Sequence, residues 1–159
     1  MLRSKRRGVE DMKKILTAIL IIGVAVTVIT GCGKKEEKGD LEISVSDLSE
    51  KASFYPVDVD GTEMEVIAVR DSEGKIRTAF NTCQICHDSG QGYYKQEGDK
   101  LVCQNCGNSF TMDQVGEVSG GCNPWPILED DRTVTEDKIQ ISYEFLQKSS
   151  DIFANWKNK

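Results

Sequence analysis

Two short cysteine pairs, Cys83-x2-Cys86 and Cys103-x2-Cys106, stand sixteen residues apart in a chain of 159 residues. A Cys-x2-Cys pair on a tight turn lets both sulfurs converge on one centre. Two such turns close a shell of four sulfurs that suits zinc, iron or an iron–sulfur cluster. The neighbouring residues fit such turns. Gly107 follows the second pair directly, and Gly90 and Gly92 follow the first behind the polar His87-Asp88-Ser89, where a backbone turning around sulfur needs freedom. Backbone N–H groups exposed in these turns point at the thiolates and help hold their negative charge.

Two other chemistries compete for the same residues. A disulfide within a Cys-x2-Cys pair is strained and tends to be redox-active rather than a structural staple, while bridges between the two loops stay open. Cys83-x-x-Cys86-His87 also spells the attachment motif of a c-type haem, with Met112 available as an axial ligand. That reading leaves Cys103 and Cys106 without a role in a chain whose single histidine is His87. Four thiolates on a metal explain more of the sequence. Spacing alone leaves open whether they hold a 2Fe-2S cluster, a single iron or a structural zinc.

The N-terminus points to a compartment. Lys13 and Lys14 precede an apolar run, Ile15 to Thr30, which ends in Gly31-Cys32. A basic start, a short apolar core and a small residue at the cut predict a secretory signal over residues 1–31. Ile29-Thr30-Gly31-Cys32 resembles a bacterial lipobox, in which the cysteine is lipidated and becomes the first mature residue. Met12 offers an internal start, with residues 1–11 as an upstream extension. The apolar run is short against the roughly 20 residues of a spanning helix. The expected location is the extracytoplasmic face of the cell membrane, anchored by lipid at Cys32. Residues 32–50 then form the lipidated cysteine and a tether, carried by the charged stretch Gly33–Asp40, "GKKEEKGD". Residues 51–159 suffice for one small metal-binding domain.

Without the six basic and two acidic side chains of residues 1–31, the formal charge falls from −6 to −10. An acidic surface argues against a nucleic-acid partner and is compatible with docking to a basic protein surface.

From Phe54 onward the pattern is all β, the expected class being a small antiparallel sandwich or barrel with two metal-binding loops. "FYPVDV" alternates loosely, and "GT" at Gly61-Thr62 turns the chain into "EMEVIAVR". There Met64, Val66 and Ala68 share one face and Glu65, Ile67 and Val69 the other. "DSEG" (Asp71–Gly74) is a turn before "KIRTAFN". Further strands are expected at "GYYKQ", "DKLVC", "SFTM" and "KIQISYEFL", the last with Ile139, Ile141, Tyr143 and Phe145 on one face. A short C-terminal helix is expected from about Gln147, with Ser149, Ser150 and Asp151 as candidate caps.

The run "MEVIAVRDSEGKIRTAFNTCQIC…GDKLVCQNCGNSFTMDQVGEVSGG" resembles a Rieske domain. Arg70, Gly74, Ala79 and Phe80 match its entry strand. Gly98, Val102, Cys103, Cys106, Gly107, Phe110, Gly116 and Glu117 match the rest. It departs at the ligands, because Cys86 and Cys106 stand where Rieske loops carry histidines. "CQIC", "GYY", "CQNCGNSF" and "VGEVSGGCNPWPI" resemble the FtrD-like family of membrane iron–sulfur proteins. That resemblance implies an iron–sulfur centre on Cys83, Cys86, Cys103 and Cys106, electron transfer or metal handling, and a membrane redox or iron-transport partner in iron uptake. Two thiolates in place of two neutral imidazoles would lower a 2Fe-2S potential by roughly several hundred millivolts relative to Rieske centres. One zinc would instead be saturated by four sulfurs and serve the fold.

Cys122, in "SGGCNPWP", is either a fifth thiol reaching the centre or a buried cysteine on a stiff loop. His87 is either a tuning group or alternative ligand, or a loop residue. Tyr93, Tyr94 and Phe110 are candidates to shield the centre from water. No Ser-His-Asp set, phosphate loop or paired-carboxylate motif can be read, so the expectation is an electron-transfer or metal-binding protein rather than an enzyme. The competing class is a non-redox binding module built on zinc, and a small c-type cytochrome is the third.

Overall fold

The computed structural model describes residues 39–117 and 120–157. The expected signal peptide, Cys32 and residues 33–38 of the expected tether lie outside the described residues. Among the described residues the architecture is mostly β, with three antiparallel sheets and one short C-terminal helix.

Four strands form the central sheet: β2 (Ser53–Val59), β3 (Thr62–Arg70), β4 (Ile76–Cys83) and β8 (Pro124–Pro126), in the order β2-β3-β4-β8. Its organising strand is β3, where Val66, Ile67, Ala68 and Val69 are all fully buried. Such an unbroken apolar run is stable only if both faces of the sheet are covered. Met64, Val66 and Ala68 face one core, with Ile43, Ile139, Ile141, Leu146 and Phe153. Ile67 and Val69 face a second core, with Ala79, Tyr94, Leu101 and the cysteines. Each buried Val or Ile contributes about 1.5–3 kcal/mol, so β3 ties the two halves together through both sets of side chains.

One face is covered by a sheet of β1 (Leu41–Ser44), β10 (Lys138–Ile141) and β9 (Thr133–Val134), ordered β1-β10-β9. The other carries a sheet of β5 (Tyr94–Glu97), β6 (Lys100–Cys103) and β7 (Ser109–Thr111), ordered β5-β6-β7. Local chemistry sets the hairpins. The β2–β3 turn is Asp60-Gly61, one residue earlier than expected, and both residues have positive φ, as a two-residue hairpin turn requires. At the β3–β4 turn the buried Asp71 accepts backbone N–H bonds from Glu73 (3.0 Å) and Lys75 (2.7 Å), and Arg77 Nε donates to it at 2.7 Å. Burial alone would push that carboxyl up. The Arg77 guanidinium and the two N–H groups outweigh burial and hold it below the usual range.

Beyond that shifted β2–β3 turn, the chain departs from the sequence reading in three places. "KIQISYEFL" is not one strand: β10 stops at Ile141, and Tyr143–Lys148 form the helix α1. Ser142 Oγ accepts from the Phe145 N–H at 3.2 Å, and this N-cap overrides the alternating pattern. As a result Phe145 stacks on Phe80 with ring centroids 5.8 Å apart. The second departure is at Leu41–Ser44, placed in the tether by composition, which pairs along β10 with Ile43 opposite Ile139. Third, the loop around Pro124 and Pro126 forms the edge strand β8, with Trp125 opposite Phe80. An edge position tolerates proline because its outer side makes no ladder bonds.

Ser142→Ala is expected to destabilise the fold by about 1 kcal/mol, read as a lower denaturant midpoint. Ser142→Asp, which keeps a capping oxygen, should stay near the parent.

Candidate metal centre

Both Cys-x2-Cys turns begin where a strand ends: Cys83 closes β4 and Cys103 closes β6. In the first turn, Cys86 N–H donates to Cys83 Sγ at 3.3 Å, and Ser89 Oγ donates to the Cys86 carbonyl at 2.7 Å. Cys83 N–H reaches across to the Gly92 carbonyl at 2.5 Å. The backbone passes so close there that a Cβ at position 92 would sit 2.5 Å from the Cys86 carbonyl, so this position takes glycine. In the second turn, Gly107 N–H donates to the Cys103 carbonyl, and Cys103 N–H to Asn108, both at 2.9 Å.

Asn81 sets the distance between the two turns. Its Oδ1 accepts from the Tyr94 N–H at 2.7 Å and its Nδ2 donates to the Tyr94 carbonyl at 3.3 Å. Tyr94 is the residue paired with Cys103 in the β5–β6 ladder. One fully buried side chain therefore links the strand bearing Cys83 to the strand beside Cys103. Its Nδ2 also donates to Glu65 at 2.6 Å, and the Trp156 indole N–H donates to its carbonyl at 2.8 Å. Nothing in the sequence pattern singled out Asn81.

Five free thiols converge here. Cys83, Cys86 and Cys122 have their sulfurs within 4.8 Å of one another, as do Cys86, Cys103 and Cys106. Cys86 belongs to both triads. Cys83, Cys86 and Cys103 are buried, Cys122 is half-buried and Cys106 is exposed. His87 belongs to neither triad. Its Nδ1 lies 3.2 Å from the Gln84 carbonyl and its ring meets Trp125 edge-on at 5.8 Å. Tyr94 is buried, and its hydroxyl donates to the Cys122 carbonyl and lies against Cys83. Tyr93 instead packs edge-on against Trp156 at 6.4 Å.

The family model for membrane iron–sulfur containing proteins of FtrD-like type matches residues 45–153. The chain belongs to the FtrD-like family. Comparison with curated proteins and with solved structures returns no match, so the Rieske-like part of the resemblance rests on sequence pattern alone.

The electrostatics of this FtrD-like site call for a cation. Burial pushes the Cys86 thiol up to about 12, and it pushes Cys103 and Cys122 up to about 11 each. At Cys83 burial acts the same way, but the Tyr94 hydroxyl and the N–H groups of Cys86 and Ile85 outweigh it, and its pKa falls. At Cys106 partial desolvation is outweighed by groups led by the Asn108 N–H, and its pKa also falls. Tyr94 is driven far above the ordinary tyrosine range, first by burial and then by Cys83 beside it. Five sulfurs this close cannot all ionise together unless positive charge enters among them.

The donor set fits an iron–sulfur group. It offers soft thiolates, backbone N–H donors and an apolar surround of Ile67, Val69, Leu101, Met112 and Val115. Asn105 and Asn108, whose side chains face Cys86 and Cys122, and the hydroxyl of Tyr94 add polar contacts to the sulfurs. Their signal in the sequence was position inside or beside "CQNCGN" and "GYY", with no motif to assign a role.

Tyr94→Phe removes the hydroxyl beside Cys83. With the metal centre bound, its reduction potential is expected to shift, because the polar group lying against Cys83 is lost. A spectroscopic redox titration checks this; an unchanged potential would remove Tyr94 as a tuning residue.

Proposed function

We propose that this protein is an electron-transfer protein carrying an iron–sulfur centre on Cys83, Cys86, Cys103 and Cys106, serving an iron-transport or redox partner in the membrane. The observation that carries the reading is the convergence of these thiols, in two triads that share Cys86 and keep their sulfurs within 4.8 Å, in a chain of a membrane iron–sulfur family.

When bound, such a cluster accepts and releases one electron. The protein supplies the rest. Val69, Leu101 and Val115 keep water from the buried sulfurs, and the N–H groups of the two turns hold negative charge on them. Exposed Cys106 and Ile85, at the tips of the two turns, form the edge that a partner would approach. The acidic chain favours a partner with a basic docking face.

The anchor in this proposal is the lipidated Cys32, at the extracytoplasmic face. Among the described residues no helix is long and apolar enough to cross a membrane. Cys32→Ala is expected to move the protein from the membrane fraction to the soluble fraction. Retention in the membrane would replace the lipid with another anchor.

Protein purified without oxygen should contain iron and acid-labile sulfide and show a visible band that dithionite bleaches. One zinc per chain with a featureless visible spectrum would overturn the redox function, and a Soret band surviving denaturation would overturn the thiolate centre.

A further inference from the structure

We propose that Cys122 is a ligand of the same centre that exchanges with Cys106, so that five thiolates serve four positions. The inference rests on the thiolate-bound metal centre proposed above and adds the exchange of one ligand. Cys122 Sγ lies within 4.8 Å of both Cys83 and Cys86, while Cys106 Sγ lies within 4.8 Å of Cys86 in the other triad. Both can therefore reach a metal atom held by Cys86.

The loop carrying Cys122 is fastened to the first turn at several points. Gly120 N–H donates to Gln84 Oε1 at 2.6 Å, Gln84 N–H to the Asn123 carbonyl at 3.2 Å, and Gln84 Nε2 to the Pro124 carbonyl at 3.3 Å. Gln84 stands between Cys83 and Cys86, so the bonds that place Cys122 run through the turn that carries two ligands. The Tyr94 hydroxyl holds the Cys122 carbonyl from the other side. Cys106, by contrast, is the exposed thiol, the ligand that solvent reaches most freely. In the exchange Cys122 gives its proton to water as its sulfur binds, and Cys106 takes one up as its sulfur leaves. The number of bound thiolates and the charge of the centre are unchanged.

The test loads the metal-free chain with cadmium(II), treats it with iodoacetamide under native conditions and locates the label by peptide mass analysis. Label should divide between Cys106 and Cys122, with Cys83, Cys86 and Cys103 protected about tenfold or more. Label confined to either one of the two, or found on neither, overturns the exchange. In protein purified without oxygen, Cys106→Ser and Cys122→Ser should each keep about half or more of the parent's iron and sulfide, with a shifted spectrum, and the double variant should lose both. Loss in Cys106→Ser as complete as in Cys103→Ser overturns the proposal if circular dichroism shows both variants folded. If Cys106→Ser does not fold, the labelling of the unaltered sequence decides. Absence of iron and sulfide from the parent would remove the iron–sulfur reading and leave the cadmium result standing.

Discussion

The amide of Asn81 bonds both backbone groups of Tyr94, and the arrangement of the metal centre depends on that pairing. It occupies the place of a ladder bond between β4 and β5, strands that belong to different sheets. A buried backbone group left without a partner costs about 1–3 kcal/mol, so Asn81 both satisfies Tyr94 and fixes the second turn against the first. Cys83 lies two residues beyond Asn81 on β4, and Cys103 lies opposite Tyr94 on β6. Any shift of one sheet against the other would move these two sulfurs apart and break two buried hydrogen bonds.

The central sheet makes this connection rigid. Because β3 is buried on both faces, it cannot slip by one residue without exchanging the side chains of two cores. On one side those cores are closed by strands from both ends of the domain, β1 and β10, together with α1. On the other they are closed by the sheet that brings Cys103 and Tyr94 to the site. Burial that stabilises the fold thus also produces the dry surroundings in which thiols resist ionisation. The hydrogen bonds from backbone N–H groups and from Tyr94 act against that resistance at selected sulfurs. A cation completes the balance.

Much of this was legible in the residues. Alternation in "EMEVIAVR" separated the two faces of β3 correctly, and the paired Cys-x2-Cys spacing led to four thiols that the fold does bring together. The strand class was also readable, as was a short C-terminal helix, though it was expected from about Gln147 and forms at Tyr143–Lys148. The errors came where a local pattern met a specific contact. Ile139, Ile141, Tyr143 and Phe145 alternate as a strand does, yet one serine cap at Ser142 turns the last two into a helix that packs on Phe80. The charged stretch ahead of Leu41 suggested a tether through residue 50, but Ile43 finds Ile139 across a sheet some hundred residues distant in sequence.

By itself the sequence determined the chemistry available: soft thiolates in two tight turns, glycines beside those turns, and an acidic chain. These are properties of residue types at short spacing, and short spacing survives folding unchanged. Tertiary structure decided which groups share the site. It set Cys122 beside Cys83 and Cys86, turned His87 toward Gln84 and Trp125, and placed Asn81 and Tyr94 as the link between the turns. Those choices depend on the pairing of β4 with β8 and on the packing of two sheets against β3. Such contacts join residues far apart in the chain, so no local pattern records them.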